Sequence, residues 1–267
     1  MTACSLTFLG TGTSHGIPVI GCTCPVCTSS DERDTRLRSS VLIEDENHAL
    51  VIDTGPEFRL QALKHKIARL DAVFYTHDHA DHINGIDDLR SFSRHGPLRV
   101  YASRNVVETI RVRFSYALDA DVVAGGRPHL LLTVIKPYET VAVGTMNVTA
   151  LPILHGGDEI FAYRIGSLGY VTDCSEVPQK SVEYLRGLDT LVVDALRRFP
   201  HPSHFSLFEA LGLISHVGPK HAYLTHLSHG FAHQELEEEL PPSVHVAYDG
   251  LVIPIGGENE KEKELYH

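Results

Sequence analysis

Thr76-His77-Asp78-His79-Ala80-Asp81-His82 places four candidate metal ligands (His77, His79, Asp81 and His82) within six residues, directly after the apolar run Ala72–Tyr75. A short apolar run of this kind reads as a buried strand. The ligands therefore open a loop at a strand end. Alternation along an extended segment aims His77 and His79 the same way, and the turn that follows lets Asp81 and His82 converge from another side. Imidazole and carboxylate together suit zinc and its first-row neighbours. Two ions held this way share a hydroxide, so the pattern points to metal-assisted hydrolysis.

Outward from this segment, β-like runs fall at Ser5–Leu9, Ser40–Glu44, Ala49–Ile52, Arg99–Tyr101 and Leu130–Ile135. More follow at Asn147–Leu151, Phe161–Ile165, Tyr170–Thr172, Thr190–Val193, His221–Thr225, Val244–Tyr248 and Leu251–Ile255. Helical periodicity marks Glu57–Lys66, Arg104–Arg113, Gln179–Leu185, Leu207–His216 and Gln234–Leu240. Early hairpins followed by alternating strands and helices predict stacked sheets with helices outside. No internal repeat or Gly/Pro/Ser-rich linker divides the chain, so one domain is expected over residues 1–255. The charged stretch from Gly256 to His267 is expected to be a disordered tail.

The chain has 267 residues, 43% of them apolar, enough for a large core. No run of about 18 apolar residues occurs, which excludes a membrane-spanning helix. Met1-Thr2-Ala3-Cys4 opens without the basic and apolar blocks of a signal peptide, so a reducing cytoplasm is the expected location. A net charge of −11 argues against a long nucleic-acid partner. The 18 histidines exceed what such a core needs, and many are clustered.

Further candidate ligands also stand at the ends of apolar runs: Asp53 after Val51-Ile52, His155 after Pro152-Ile153-Leu154, Asp173 after Tyr170-Val171-Thr172, and His226 after His221–Thr225. With the His77–His82 segment, these motifs resemble the metallo-β-lactamase superfamily nearly end to end. The resemblance implies an αββα sandwich. It also implies one metal on His77, His79 and His155, a second on Asp81, His82 and His226, and Asp173 bridging both, with Asp53 supporting the metal loops.

Cys22-Thr23-Cys24-Pro25-Val26-Cys27 places three thiols within six residues. Cytosolic disulfides are unusual, whereas such a loop folds readily around one tetrahedral ion; His229 is the candidate fourth ligand. With Phe8–Ser14 and Arg36–Ser40, this loop resembles the branch of phosphoribosyl 1,2-cyclic phosphate phosphodiesterases of the phosphonate-degrading carbon–phosphorus lyase pathway. That resemblance implies a structural zinc on Cys22, Cys24, Cys27 and His229. It also implies zinc or manganese in the active site, a small cyclic phosphate as partner, and a homodimer. His204, in Pro200-His201-Pro202-Ser203-His204, corresponds by the same resemblance to the histidine that meets the scissile phosphate. His204 and Asp81 are thus the expected catalytic residues, and Ser206 is the expected cap of the next helix. Arg90, Arg94, Arg197 and Arg198 are candidates for a second substrate phosphate. The Gly10–Gly16 loop fails as a dinucleotide motif because His15 stands where glycine is required. A tRNA 3′-processing-type nuclease is the alternative enzyme, and a metal-binding protein without turnover the alternative from another class.

Overall fold

The computed structural model describes residues 4–118 and 127–256; of the expected tail, all beyond Gly256 lies outside the described residues. The strands of the first half are β1 (Cys4–Gly10), β2 (Ser40–Glu44), β3 (Ala49–Ile52), β4 (Ala72–Phe74), β5 (Leu98–Ala102) and β6 (Leu130–Val134). The second half contributes β7 (Thr140–Val143), β8 (Met146–His155), β9 (Asp158–Ile165), β10 (Leu168–Val171), β11 (Thr190–Asp194), β12 (His221–Thr225), β13 (Val244–Val246) and β14 (Val252–Ile255). They form two seven-stranded sheets, ordered β14-β1-β2-β3-β4-β5-β6 and β13-β12-β11-β10-β9-β8-β7. Each sheet is mixed: β3 to β6 run parallel, as do β10 to β13, while β1 pairs antiparallel with β14 and β2, and β2–β3, β7–β8, β8–β9 and β9–β10 are antiparallel.

Three apolar layers follow from strand alternation. In β3, Leu50 and Ile52 enter the layer between the sheets, where they meet Phe161, Tyr163 and Tyr170 of the second sheet. Ala49 and Val51 face the other way, with Phe58 of α1 (Phe58–Lys64). The same outer layer takes Val107 and Ile110 of α3 (Arg104–Arg113), which lies beyond the four-residue α2 (Ala80–Ile83). After α4 (Ser115–Leu118), the remaining helices are α5 (Gln179–Leu185), α6 (Leu207–Val217) and α7 (His233–Glu239). They cover the second sheet through Leu185, Ile214 and Leu236. The molecule is thus an αββα sandwich. Ser206 caps α6 in a reciprocal box with Glu209, and Gly218 ends it in the left-handed conformation.

Differences from the sequence reading are local. β7 was not expected; it is an edge strand with alternating exposed positions, paired to β8. Asp81 and His82 lie on α2 rather than on a plain turn. The expected strand to Tyr248 stops at Val246, and α1 is shorter than its periodicity predicted.

Candidate metal centre and active site

The ligand candidates gather at one edge of the sandwich, where strands of both sheets end. Asp53 follows β3, His77 lies just past β4, His155 ends β8, Asp173 lies just past β10, and His226 follows β12. Asp53 and His226 take positive φ angles of 63° and 54°. Such strain at non-glycine residues costs about 1–3 kcal/mol and marks positions fixed by their surroundings. Gly55 has a packing reason: a Cβ there would stand 2.2 Å from the Asp81 carbonyl oxygen. That close approach lets the Thr54 N–H donate to the His82 carbonyl at 2.7 Å and docks α2 against the Asp53 loop.

Asp53 is completely buried and organises this corner. Its Oδ1 accepts from the Thr76 N–H at 2.9 Å, and its Oδ2 lies 2.7 Å from His82 Nδ1. His82 Nε2 is thereby turned toward Asp81 Oδ2 at 3.3 Å and Asp173 Oδ2 at 3.2 Å. On its other oxygen, Asp173 is 3.2 Å from His226 Nε2, and His77 Nε2 approaches Asp173 Oδ2 at 3.7 Å. His155 Nδ1 donates to the Ser203 carbonyl at 2.8 Å, which leaves Nε2 for the centre.

Three overlapping groups of donor atoms result, each within 4.8 Å: His77, His79 and His155; Asp81, His82, Asp173 and His226; and His155, Asp173 and His204. The ring nitrogens His77 Nε2, His82 Nε2 and His226 Nε2 are buried without a hydrogen-bond partner. Orphaned buried nitrogens are costly, and here they face one another across a gap that suits cations. Tetrahedral ligands at about 2.05 Å from an ion stand about 3.3 Å apart, close to the separations around Asp173. The electrostatics agree. Burial depresses His77 and His155 and pushes His226 down to about 4, keeping them in the neutral, ligating form. Burial would raise Asp173, but His226 and His82 hold it well below the usual carboxylate range. His82 goes the other way: burial disfavours its charge, yet Asp173, Asp53 and Asp81 lift it well above an ordinary imidazole. Three carboxylates around one ring call for positive charge, which metal ions supply.

His204 stands beside this cluster. Its ring stacks on His226 at 4.9 Å between centroids and meets His155 edge-on at 4.7 Å. Behind it, the fully buried Asp194 at the end of β11 places Oδ2 3.7 Å from His204 Nδ1, an ion-pair distance beyond hydrogen-bond range. Oδ1 of Asp194 is anchored by the Cys174 N–H at 3.0 Å. Burial pushes Asp194 up to about 7; it also opposes the charge on His204, but Asp194 lifts that imidazole above its usual value. Asp194 was missed in the sequence, although it ends an apolar strand just as Asp53 follows one.

The thiol loop meets His229 as expected. Sγ of Cys22, Cys24 and Cys27 lie 3.3, 3.5 and 3.5 Å from His229 Nδ1. A tetrahedral zinc with about 2.3 Å to sulfur and about 2.05 Å to nitrogen sets that separation near 3.5 Å. The Cys27 N–H holds Cys24 down to about 6, while burial pushes Cys27 up to about 11. One cation would let all three thiolates coexist.

Of the four arginine candidates, only Arg197 lines the cavity beside His204. Arg90 pairs with Asp87 and lines a separate cavity against Phe58 and Phe92, and Arg198 forms a two-pronged pair with Glu239. Arg94 is exposed.

The family model for the beta-lactamase superfamily domain matches residues 48–227. Fold and site together define the chain as a metal-dependent hydrolase of the metallo-β-lactamase type. A crystal structure of a new diphosphatase from the PhnP family is 40% identical, with a TM-score of 0.89, covering 95% of this chain and 97% of that one. The chain belongs to the beta-lactamase superfamily and, within it, to the PhnP family. An octanoyltransferase of Porphyromonas gingivalis is 42% identical over 246 residues, which are 91% of this chain and 50% of that relative. The chain thus spans about half the length of this curated relative. Zn(2+)-bound PqqB from Methylobacterium extorquens, at 17% identity and a TM-score of 0.79, shares the fold over 93% of this chain and 99% of its own.

Proposed function

We propose that the chain is a two-metal phosphodiesterase that hydrolyses a small cyclic phosphate, with phosphoribosyl 1,2-cyclic phosphate, opened to ribose 1,5-bisphosphate, as its substrate. The observation that carries this reading is His204, braced by Asp194, standing directly against a cluster of seven ligand candidates. When bound, zinc or manganese ions there supply a nucleophile at neutral pH and neutralise charge on the phosphoryl oxygens. The chain's own groups do the rest. His77, His79 and His155 would hold one ion and Asp81, His82 and His226 the other, with Asp173 between the two groups. Asp53 and the Ser203 carbonyl fix the ring orientations of His82 and His155. His204 gives its proton to the leaving alkoxide, and Asp194 keeps that proton in place. The cysteine loop and His229, which lines the same cavity as His204, would hold a structural zinc.

The PhnP-family relative at 40% identity favours a second reading, cleavage of a diphosphate. A phosphate leaving group departs without a proton, so that reaction would not depend on His204. Octanoyl transfer is not carried over from the Porphyromonas gingivalis relative, because this chain spans only 50% of that protein. A long polyanion such as tRNA suits a chain of net charge −11 poorly. The reading therefore carries a small-molecule partner.

The test compares kcat/KM for phosphoribosyl 1,2-cyclic phosphate, a 2′,3′-cyclic nucleotide, a nucleoside diphosphate and a precursor tRNA. Metal-reconstituted protein is used at matched ionic strength. The cyclic sugar phosphate should be turned over best. Efficient tRNA trimming with little ester turnover would overturn the reading, and preference for the diphosphate would promote the second one.

A further inference from the structure

The Gly10–Gly16 loop and the Arg197–Ser203 loop, which orients His155 through the Ser203 carbonyl, meet over one cavity of about 480 Å³. Its inner wall is His204 and His226, so it opens onto the proposed reaction centre. Around it stand Thr13, Ser14, His15, Arg197, His201 and Ser228. Among the described residues none that lines it is acidic, although the chain as a whole carries −11. The larger cavity, about 610 Å³ against His77, His79 and His155, differs: there Arg104 and Lys136 share the walls with Asp78, Asp158 and Glu159.

Arg197 is exposed and, like Arg164 and Arg69, rests on backbone carbonyls; its place on the cavity wall sets it apart. Arg198, Arg90, Arg38 and Arg33 each pair with a carboxylate. Among the described residues Arg197 has none; its Nε and Nη2 donate to the carbonyls of Phe199 and Pro200 at 3.1 and 2.6 Å. Those bonds hold the guanidinium still and leave its charge without a counterion. A fixed, uncompensated guanidinium with hydroxyl and imidazole donors around it, and no carboxylate, is the chemistry that selects a phosphate. Val19 and Leu196 add carbon surface for the face of a sugar ring.

We propose that this cavity is the subsite for a second phosphate on the substrate, separate from the phosphoryl group that reacts. The proposal rests on the phosphodiesterase reading and fixes where the 5-phosphate of a sugar ester sits.

The test measures kcat/KM for ribose 1,2-cyclic phosphate with and without its 5-phosphate, on metal-loaded protein. The wild type should prefer the 5-phosphorylated ester by at least about tenfold, the scale of one charge-assisted hydrogen bond. Arg197→Gln should remove most of that preference, a loss of about tenfold, mainly through KM. His15→Ala, on the other loop, should lower it as well without touching the backbone that carries His204. Arg94→Gln, outside the cavity, should leave the preference unchanged. Equal turnover of both esters by the wild type, or a preference unmoved in both cavity variants, overturns the subsite while the phosphodiesterase reading stands. No turnover of either ester overturns the reading and the subsite with it.

Discussion

Replacing Asp194 by Asn tests the link between fold and chemistry most sharply. Asn keeps the volume in a fully buried site and retains an oxygen for the Cys174 N–H. What it removes is the negative charge 3.7 Å behind His204. At that separation a full ion pair is worth about 4 kcal/mol with an effective dielectric of about 20. Burial holds Asp194 at about 7, so only part of that attraction operates near neutral pH. The net loss is then about 1.5–3 kcal/mol, roughly 10–100-fold in kcat. The assay pairs two diesters of one phosphate, one with an alkoxide leaving group and one with p-nitrophenolate. The Asp194→Asn enzyme should lose that factor on the alkoxide ester and stay within about threefold of wild type on the nitrophenyl ester, because p-nitrophenolate leaves without a proton. Equal losses on both esters, or loss of active-site metal, would refute the positioning role.

Removing His204 itself should cost about 10²–10⁴-fold in kcat with metal content intact. Its ring also lies within ligand reach of His155 and Asp173, so an emptied site in His204→Ala would reassign it as a ligand. Asp173→Ala should release active-site metal, since that carboxylate touches His77, His82 and His226; elemental analysis decides. Cys24→Ser should lose one zinc and lower the unfolding midpoint while the other ions stay, and full metal content in that variant would contradict the thiolate site. Burial raises the half-buried Asp249 from 3.8 to about 6. Between those values the folded chain holds a proton that the unfolded chain has lost, so this group's contribution to stability falls as pH rises through the window. The displacement is worth at most about 3 kcal/mol, less for solvent screening. Asp249→Asn should flatten the slope of stability against pH from about 4 to 6 in denaturant titrations, and an unchanged slope would count against it.

The centre was legible in sequence because most ligand candidates lie at or just beyond the end of an apolar strand, and strand ends are what the fold gathers. His77, His155, Asp173 and His226 could each be placed from the run that precedes them. Asp194 carried the same local signal, but its role depends on parallel pairing of β11 with β10 and β12, which sets its carboxylate behind a loop ten residues further on. The choice between Arg197 and Arg198 was likewise invisible, since neighbouring arginines look alike in sequence. A bridge between Arg197 and Ser206 sets the local strand direction; Arg197 lines the cavity, while Arg198 pairs with Glu239 on α7. Strand β7 escaped notice because an edge strand with exposed alternate positions has little apolar pattern to read.

The central claim is that metal-loaded protein adds water to phosphorus in a small diester. One measurement tests it directly: phosphoribosyl 1,2-cyclic phosphate is incubated with metal-reconstituted enzyme in ¹⁸O-water, and the product is read by ³¹P NMR. A phosphomonoester carrying one ¹⁸O on phosphorus, formed by wild type and abolished in Asp173→Ala, is the predicted result. An unchanged diester, or a product without ¹⁸O on phosphorus, would contradict it.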